Sequence, residues 1–174
     1  MNARMPTPEG VIRNQVTPTL IFISLAVSFT LNLMPWQNLA LMARPDFLLL
    51  VLIYWCIHEP RRVGTMSAFL LGLLVDVAES SLIGQNALVY SVCAYVALSF
   101  RLRILRFGWP LQALHIFPIL LLGQGVFLLQ QLILTASFPS ATYLLRSALG
   151  TLLWPMLCWV LELPRRQPIR NEIE

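Results

Sequence analysis

Between Arg44 and Leu98 the chain packs two and a half apolar runs around a basic hinge, Glu59-Pro60-Arg61-Arg62. A single carboxylate, Asp76, sits inside the second run, and from Val63 to Ala78 it is the only charged residue. An ionisable group in such a run is costly enough to need a structural or functional reason. The surrounding composition makes the bilayer the solvent: 57% of residues are apolar, 11% are charged, and the mean hydropathy is +0.72. A soluble domain of this length has an apolar fraction nearer one half and shows polar helix faces. Here several runs near the length of a membrane span are apolar all round.

Along the chain, residues 1–17 read as a short cytoplasmic tail, since no cleavage-site pattern follows the first apolar run. Helix one is expected from Pro18 to about Met34, closed by Pro35-Trp36. Residues 37–44 are too short to span and are expected at the outer interface. Pro45 then starts helix two, with Asp46 in its first turn and the apolar run Phe47 to Ile57, which is shorter than a bilayer core. Flanking extension, local thinning, or tilt with cover by neighbours would each accommodate it. Tyr54 and Trp55 are read as marking its inner end. Helices three to six are expected at about 63–80, 82–100, 109–136 and 143–161, and residues 163–174 form a polar, cytoplasmic tail. The fold class predicted is therefore all-α and polytopic, with six transmembrane helices over 18–162.

Charge fixes the expected orientation. With both termini inside, ten arginines fall on the inner side (Arg4, Arg13, Arg61, Arg62, Arg101, Arg103, Arg106, Arg165, Arg166 and Arg170). Only Arg44 and Arg146 stay outside, the bias that orients membrane proteins. The net charge of +4 thus points to anionic lipid and topology, with no nucleic-acid partner implied. Cys56, Cys93 and Cys158 each lie within an apolar run without a paired pattern and read as small buried hydrophobes. No GxSxG elbow, HExxH motif or Gly-rich phosphate loop is present, so no catalytic, metal or cofactor residue is nominated.

In helix three the small and polar residues recur every fourth position: Gly64, Ala68, Gly72, Asp76 and Ser80. That spacing places them along one face, where small side chains let another helix approach closely. Gly64, Ala68, Gly72 and Asp76 are accordingly the candidate surface for helix packing or partner binding. Three readings of Asp76 stay open. It fixes packing through interhelical hydrogen bonds or an ion pair with Arg146 or Arg44; it lines a polar pocket used by a solute or by an outer partner; or it relays protons, for which the other helices offer no chain of titratable groups. Arg146 is the favoured ionic partner, since it enters helix six from the same side.

The order of Met34-Pro35-Trp36, Arg44-Pro45-Asp46, Pro60-Arg61-Arg62-Val63-Gly64, FLLGLLVD through Gly72 and Asp76, SSLIG ending at Gly84, Ala94-Tyr95 and Leu153-Trp154-Pro155 resembles the bacterial rod-shape-determining MreD family. The likeness covers about residues 20–160. It implies a non-enzymatic inner-membrane component of the cell-elongation complex. Such a component would bind MreC beside MreB, RodA and a class B penicillin-binding transpeptidase, and help organise lateral-wall peptidoglycan synthesis. It also implies a six-helix fold similar to the substrate-binding membrane subunits of energy-coupling-factor transporters. On that fold the outer-side polar pocket would draw on Asp76, Glu79, Gln85, Asn86 and Arg146, which leaves a small-solute, vitamin-like binder as the alternative function.

Overall fold

The computed structural model describes residues 17–34, 45–135 and 142–163. Within them lie six helices: α1 (Pro18–Leu33), α2 (Phe47–His58), α3 (Thr65–Ala78), α4 (Gln85–Ile104), α5 (Trp109–Thr135) and α6 (Thr142–Glu162). Their ends fall within a few residues of the sequence expectation, with the largest shift in α4, which continues through Arg101 and Arg103. The expected outer segment 37–44, with Arg44, lies outside the described residues, as do almost all of the two tails.

Local chemistry sets the starts and stops. Pro18 opens α1, where a missing N–H costs nothing. Asp46 caps α2 by accepting the Leu49 N–H at 3.0 Å, a closer role than the dipole partner expected of it. At the end of α3, Ser80 takes a left-handed conformation (φ 52°). The Ser81 N–H then reaches back to the Asp76 carbonyl (3.0 Å) and the Ser80 N–H to that of Val77 (3.4 Å), a Schellman closure. Gly84, the cap of α4, sits at φ 100°, a conformation that favours glycine.

Side-chain contacts show that the helices alternate in direction. Asn32 meets Asp46 and Ser24 meets Trp55, so α1 runs antiparallel to α2. Tyr90 meets Asp46 while Arg101 donates to the Ile57 carbonyl, so α4 runs parallel to α2. Gly150 faces Leu50 and Trp154 packs near Tyr54, which makes α6 parallel to both. Helix α3 pairs with α4 through Gly72 and Ala87, and α5 with α4 through Gly123, Val89 and Cys93. The bundle therefore has two distinct ends, an Asp46 end and an Arg101 end.

Helix α2 is the axis. Every residue from Leu48 to Ile57 is buried, and α1, α4 and α6 pack around it. At twelve residues it is about 18 Å long, well short of a bilayer core of about 30 Å. The short second run is thus enclosed by its neighbours. Tyr54 and Trp55, near the end of α2, are fully buried inside the bundle. Trp55 satisfies its indole N–H on Ser24 Oγ at 2.8 Å, the kind of partner a buried indole usually finds.

Outside, the bundle is apolar. Phe22, Ile83, Ile133 and Leu152 are each 74–79% exposed, a surface that a soluble monomer does not carry. Among the described residues, Gln85–Ile104 and Pro110–Leu134 are long and apolar enough to cross a membrane.

Candidate functional site

Two carboxylates, the buried Asp76 and the partly buried Asp46, organise the Asp46 end. Asp76 is wholly inaccessible, and both its oxygens are used. Oδ1 accepts from the Asn86 N–H (2.8 Å) and Ser81 Oγ (3.0 Å), and Oδ2 from the N–H groups of Gly84 (2.8 Å) and Ala87 (3.3 Å). The side chain of α3 therefore caps the first turn of α4, a carboxylate set on the positive end of a helix. Its expected partner, Arg146, is not among these donors. The backbone supplies the compensation instead, because the hairpin 79–84 folds the α4 N-terminus directly over the carboxylate.

Behind Asp76 runs the seam predicted from small-residue spacing. Ala68, Gly72 and Asp76 are buried, and a Cβ on Gly72 would lie 2.5 Å from the Ala87 Cα and 2.7 Å from its nitrogen. Gly64 departs from this face. It precedes α3, where Ser67 Oγ accepts its N–H at 2.9 Å, and a Cβ there would meet nothing within 4 Å.

Asp46 is held differently. Its Oδ1 accepts from Asn32 Nδ2 (2.7 Å) and the Leu49 N–H, and its Oδ2 from the Tyr90 hydroxyl (2.6 Å). Asn32 in turn accepts the Phe47 N–H at 3.1 Å. Three helices are thus tied by one carboxylate, and hydrogen bonds to an ionised group are the strong ones. Sequence reasoning missed Asn32 and Tyr90. The available signal was a lone amide near the end of the first apolar run, which is costly there for the same reason as Asp76.

Beside this knot opens a polar cavity of about 120 Å³. All six helices or their caps reach it: Asn32, Asp46 and Leu49, Val75 and Glu79, Asn86 and Val89, Leu120, Gly123, Gln124 and Phe127, and Arg146. Of the residues nominated from sequence, Glu79, Asn86 and Arg146 line it, while Asp76 and Gln85 do not. Asn32, Asp46 and Gln124 are lining residues that were not nominated. The cavity mixes acid, base and amide groups, so it suits hydrogen-bonding and ionic recognition. Among the described residues no group of three or more His, Cys, Asp or Glu side chains is placed to hold a metal. His58 stacks on Tyr54 and His115 on Phe107, away from the cavity.

An apolar-walled bundle of this kind, with its hydrogen-bonded carboxylates gathered at one end, has the make-up of an α-helical membrane protein. Comparison with known proteins narrows that class. The family model described as rod shape-determining protein MreD matches residues 13–163. A rod shape-determining protein MreD of Haemophilus influenzae (strain ATCC 51907 / DSM 11121 / KW20 / Rd) is 37% identical over 152 residues, covering 85% of this chain and 88% of that protein. The chain belongs to the MreD family of rod shape-determining proteins. No solved structure matches it.

Proposed function

We propose that the chain is a non-enzymatic, multi-pass component of the bacterial cytoplasmic membrane that binds MreC. Through MreC it helps organise lateral-wall peptidoglycan synthesis by the rod complex, alongside MreB, RodA and a class B penicillin-binding transpeptidase. All six helices cross the bilayer in the proposed arrangement, similar to the energy-coupling-factor substrate-binding subunits, with both termini cytoplasmic. Charge supports this orientation: Arg61, Arg62, Arg101, Arg103 and Arg106 gather at the Arg101 end, which the positive-inside bias assigns to the cytoplasm. The Asp46 end then faces outward.

The observation that carries the partner reading is the cavity at that outward end. Small-molecule sites run to about 300–1,000 Å³, so a space of about 120 Å³ is undersized for a vitamin. It fits one or two side chains of a polar segment emerging from the membrane beside it. This weighs against the vitamin-like alternative.

A photo-reactive residue at Gln124 should cross-link MreC in growing cells, and Gln124→Trp, which fills the cavity, should release MreC on purification and round the cells. Full MreC retention in that variant, at normal protein level, would overturn the cavity as the contact. Rounding that a supplied nutrient cures would instead favour the solute carrier.

A further inference from the structure

The cavity at the Asp46 end holds hydrogen-bonding capacity that the fold leaves unused. An ionised carboxylate offers about four acceptor positions. Asp76 fills them, with two donors on each oxygen. Asp46 takes Asn32 Nδ2 and the Leu49 N–H on Oδ1 but only the Tyr90 hydroxyl on Oδ2, so among the described residues one position on Oδ2 stays open. The side-chain amides of Asn86 and Gln124 line the same cavity from α4 and α5 and make no hydrogen bond among the described residues. Asp46 Oδ2, Asn86 Oδ1 and Gln124 Oε1 are therefore three acceptors, from three elements, available around one space.

An amide serves a donor or an acceptor equally, so charge decides the sign of the occupant. The lining sets two carboxylates, Asp46 and Glu79, against one guanidinium, Arg146. A third carboxylate, Asp76, accepts the N–H of Asn86 at 2.8 Å, and it adds to the negative field although its own oxygens are full. An anion entering here would meet like charge, which is costly at close quarters, whereas a cation restores the balance.

Size and wall chemistry choose among cations. At about 30 Å³ for each water, a space of about 120 Å³ holds roughly four heavy atoms, the number in a guanidinium group. The guanidinium carries its N–H donors in a planar fork that can serve several acceptors at once, where an ammonium is a compact point charge. Phe127 gives the cavity an aromatic wall of the kind on which a guanidinium stacks, and Leu49, Val75 and Val89 suit an aliphatic stem. We infer that the cavity is a guanidinium site and that the partner side chain entering it is an arginine. The partner's share in this rests on the function proposed above; the preference of the site for a cation does not.

Full-length protein, purified without its partner, is titrated with N-acetyl-arginine amide and, separately, with its uncharged isostere N-acetyl-citrulline amide, and binding is read from the rise in unfolding temperature. The expected preference for the arginine derivative is about tenfold, a difference of about 1.4 kcal/mol. Gln124→Glu adds a carboxylate and should sharpen that preference, while Gln124→Arg supplies the cation from within and should abolish it. Where Gln124→Arg fails to fold, Asn86→Lys makes the same change. Equal response to the two amides, or tighter binding of the anion N-acetyl-aspartate amide, would overturn the site. In cells, Gln124→Arg should release MreC and Gln124→Glu should retain it. Any other order, with MreC still cross-linking at position 124, would overturn the arginine assignment. A cation preference in the purified protein with no cross-link in cells would leave the guanidinium site standing and overturn the partner reading alone.

Discussion

Asp46 and Asp76 are both carboxylates at the N-terminus of a helix, Asp76 buried and Asp46 partly exposed, and they stabilise different things. Asp76 takes its four hydrogen bonds from residues 81–87, all within eleven positions of itself. It closes one hairpin, α3 to α4, and would do so wherever that hairpin sat. Asp46 reaches fourteen residues back to Asn32 and forty-four forward to Tyr90, so it is satisfied only once α1, α2 and α4 have assembled. One is a local lock, the other a tertiary knot at the mouth of the cavity. Acceptor count in a hairpin governs the first, and agreement between helices governs the second.

The largest effect should come from breaking the lock. Asp76→Ala leaves three N–H groups of the α4 turn without their acceptor and the Ser81 hydroxyl with only the carbonyl of residue 76, at 3.4 Å. Each buried unsatisfied donor costs about 1–3 kcal/mol, and the loss should exceed about 3 kcal/mol, read as thermal unfolding in detergent and as protein level in cells. Asp76→Asn should fall close to Ala, because its amide group turns a donor toward N–H donors. A stable Asp76→Asn protein would show that one oxygen is enough.

Next in size is the seam behind it. Gly72→Ala puts a Cβ against backbone rather than a yielding side chain, and overpacking of this kind costs about 1–3 kcal/mol. Gly64→Ala, on the same expected face, meets open space and should change stability by less than about 0.5 kcal/mol. Equal losses in the two variants would mean that α3 continues its contact with α4 beyond Ala68.

These contrasts also mark what could be read from the chain alone. The helix count, the central apolar run and the Gly72–Asp76 face were legible, because hydropathy and a four-residue spacing report directly on burial and shared face. The acceptor role of Asp76 was not, since backbone N–H groups leave no trace in sequence, whereas Arg146 and Arg44 stood out as candidate charges. The burial of Tyr54 and Trp55 was not legible either, because it depends on α1, α4 and α6 enclosing them. Asn32, Tyr90 and Gln124 are single polar residues on separate helices. Only the tertiary structure brings them to one place.

The finest test separates the two carboxylates by their coupling. Tyr90 donates to Asp46 at 2.6 Å, and a hydrogen bond to an ionised group is worth about 1.5–3 kcal/mol. Tyr90→Phe and Asp46→Ala should each destabilise, and the double variant should cost less than their sum by about 1 kcal/mol, since the second change removes a bond already lost. Asp76→Ala and Arg146→Ala share no hydrogen bond, so their effects on stability should add to within about 0.5 kcal/mol. An ion pair between Asp76 and Arg146 would instead make that double variant milder than Asp76→Ala alone, by relieving a stranded positive charge. Additivity at Asp76 together with coupling at Asp46 is the expected pattern. The reverse pattern would move the ionic centre of the Asp46 end from the α1–α2–α4 knot to the α3–α6 side.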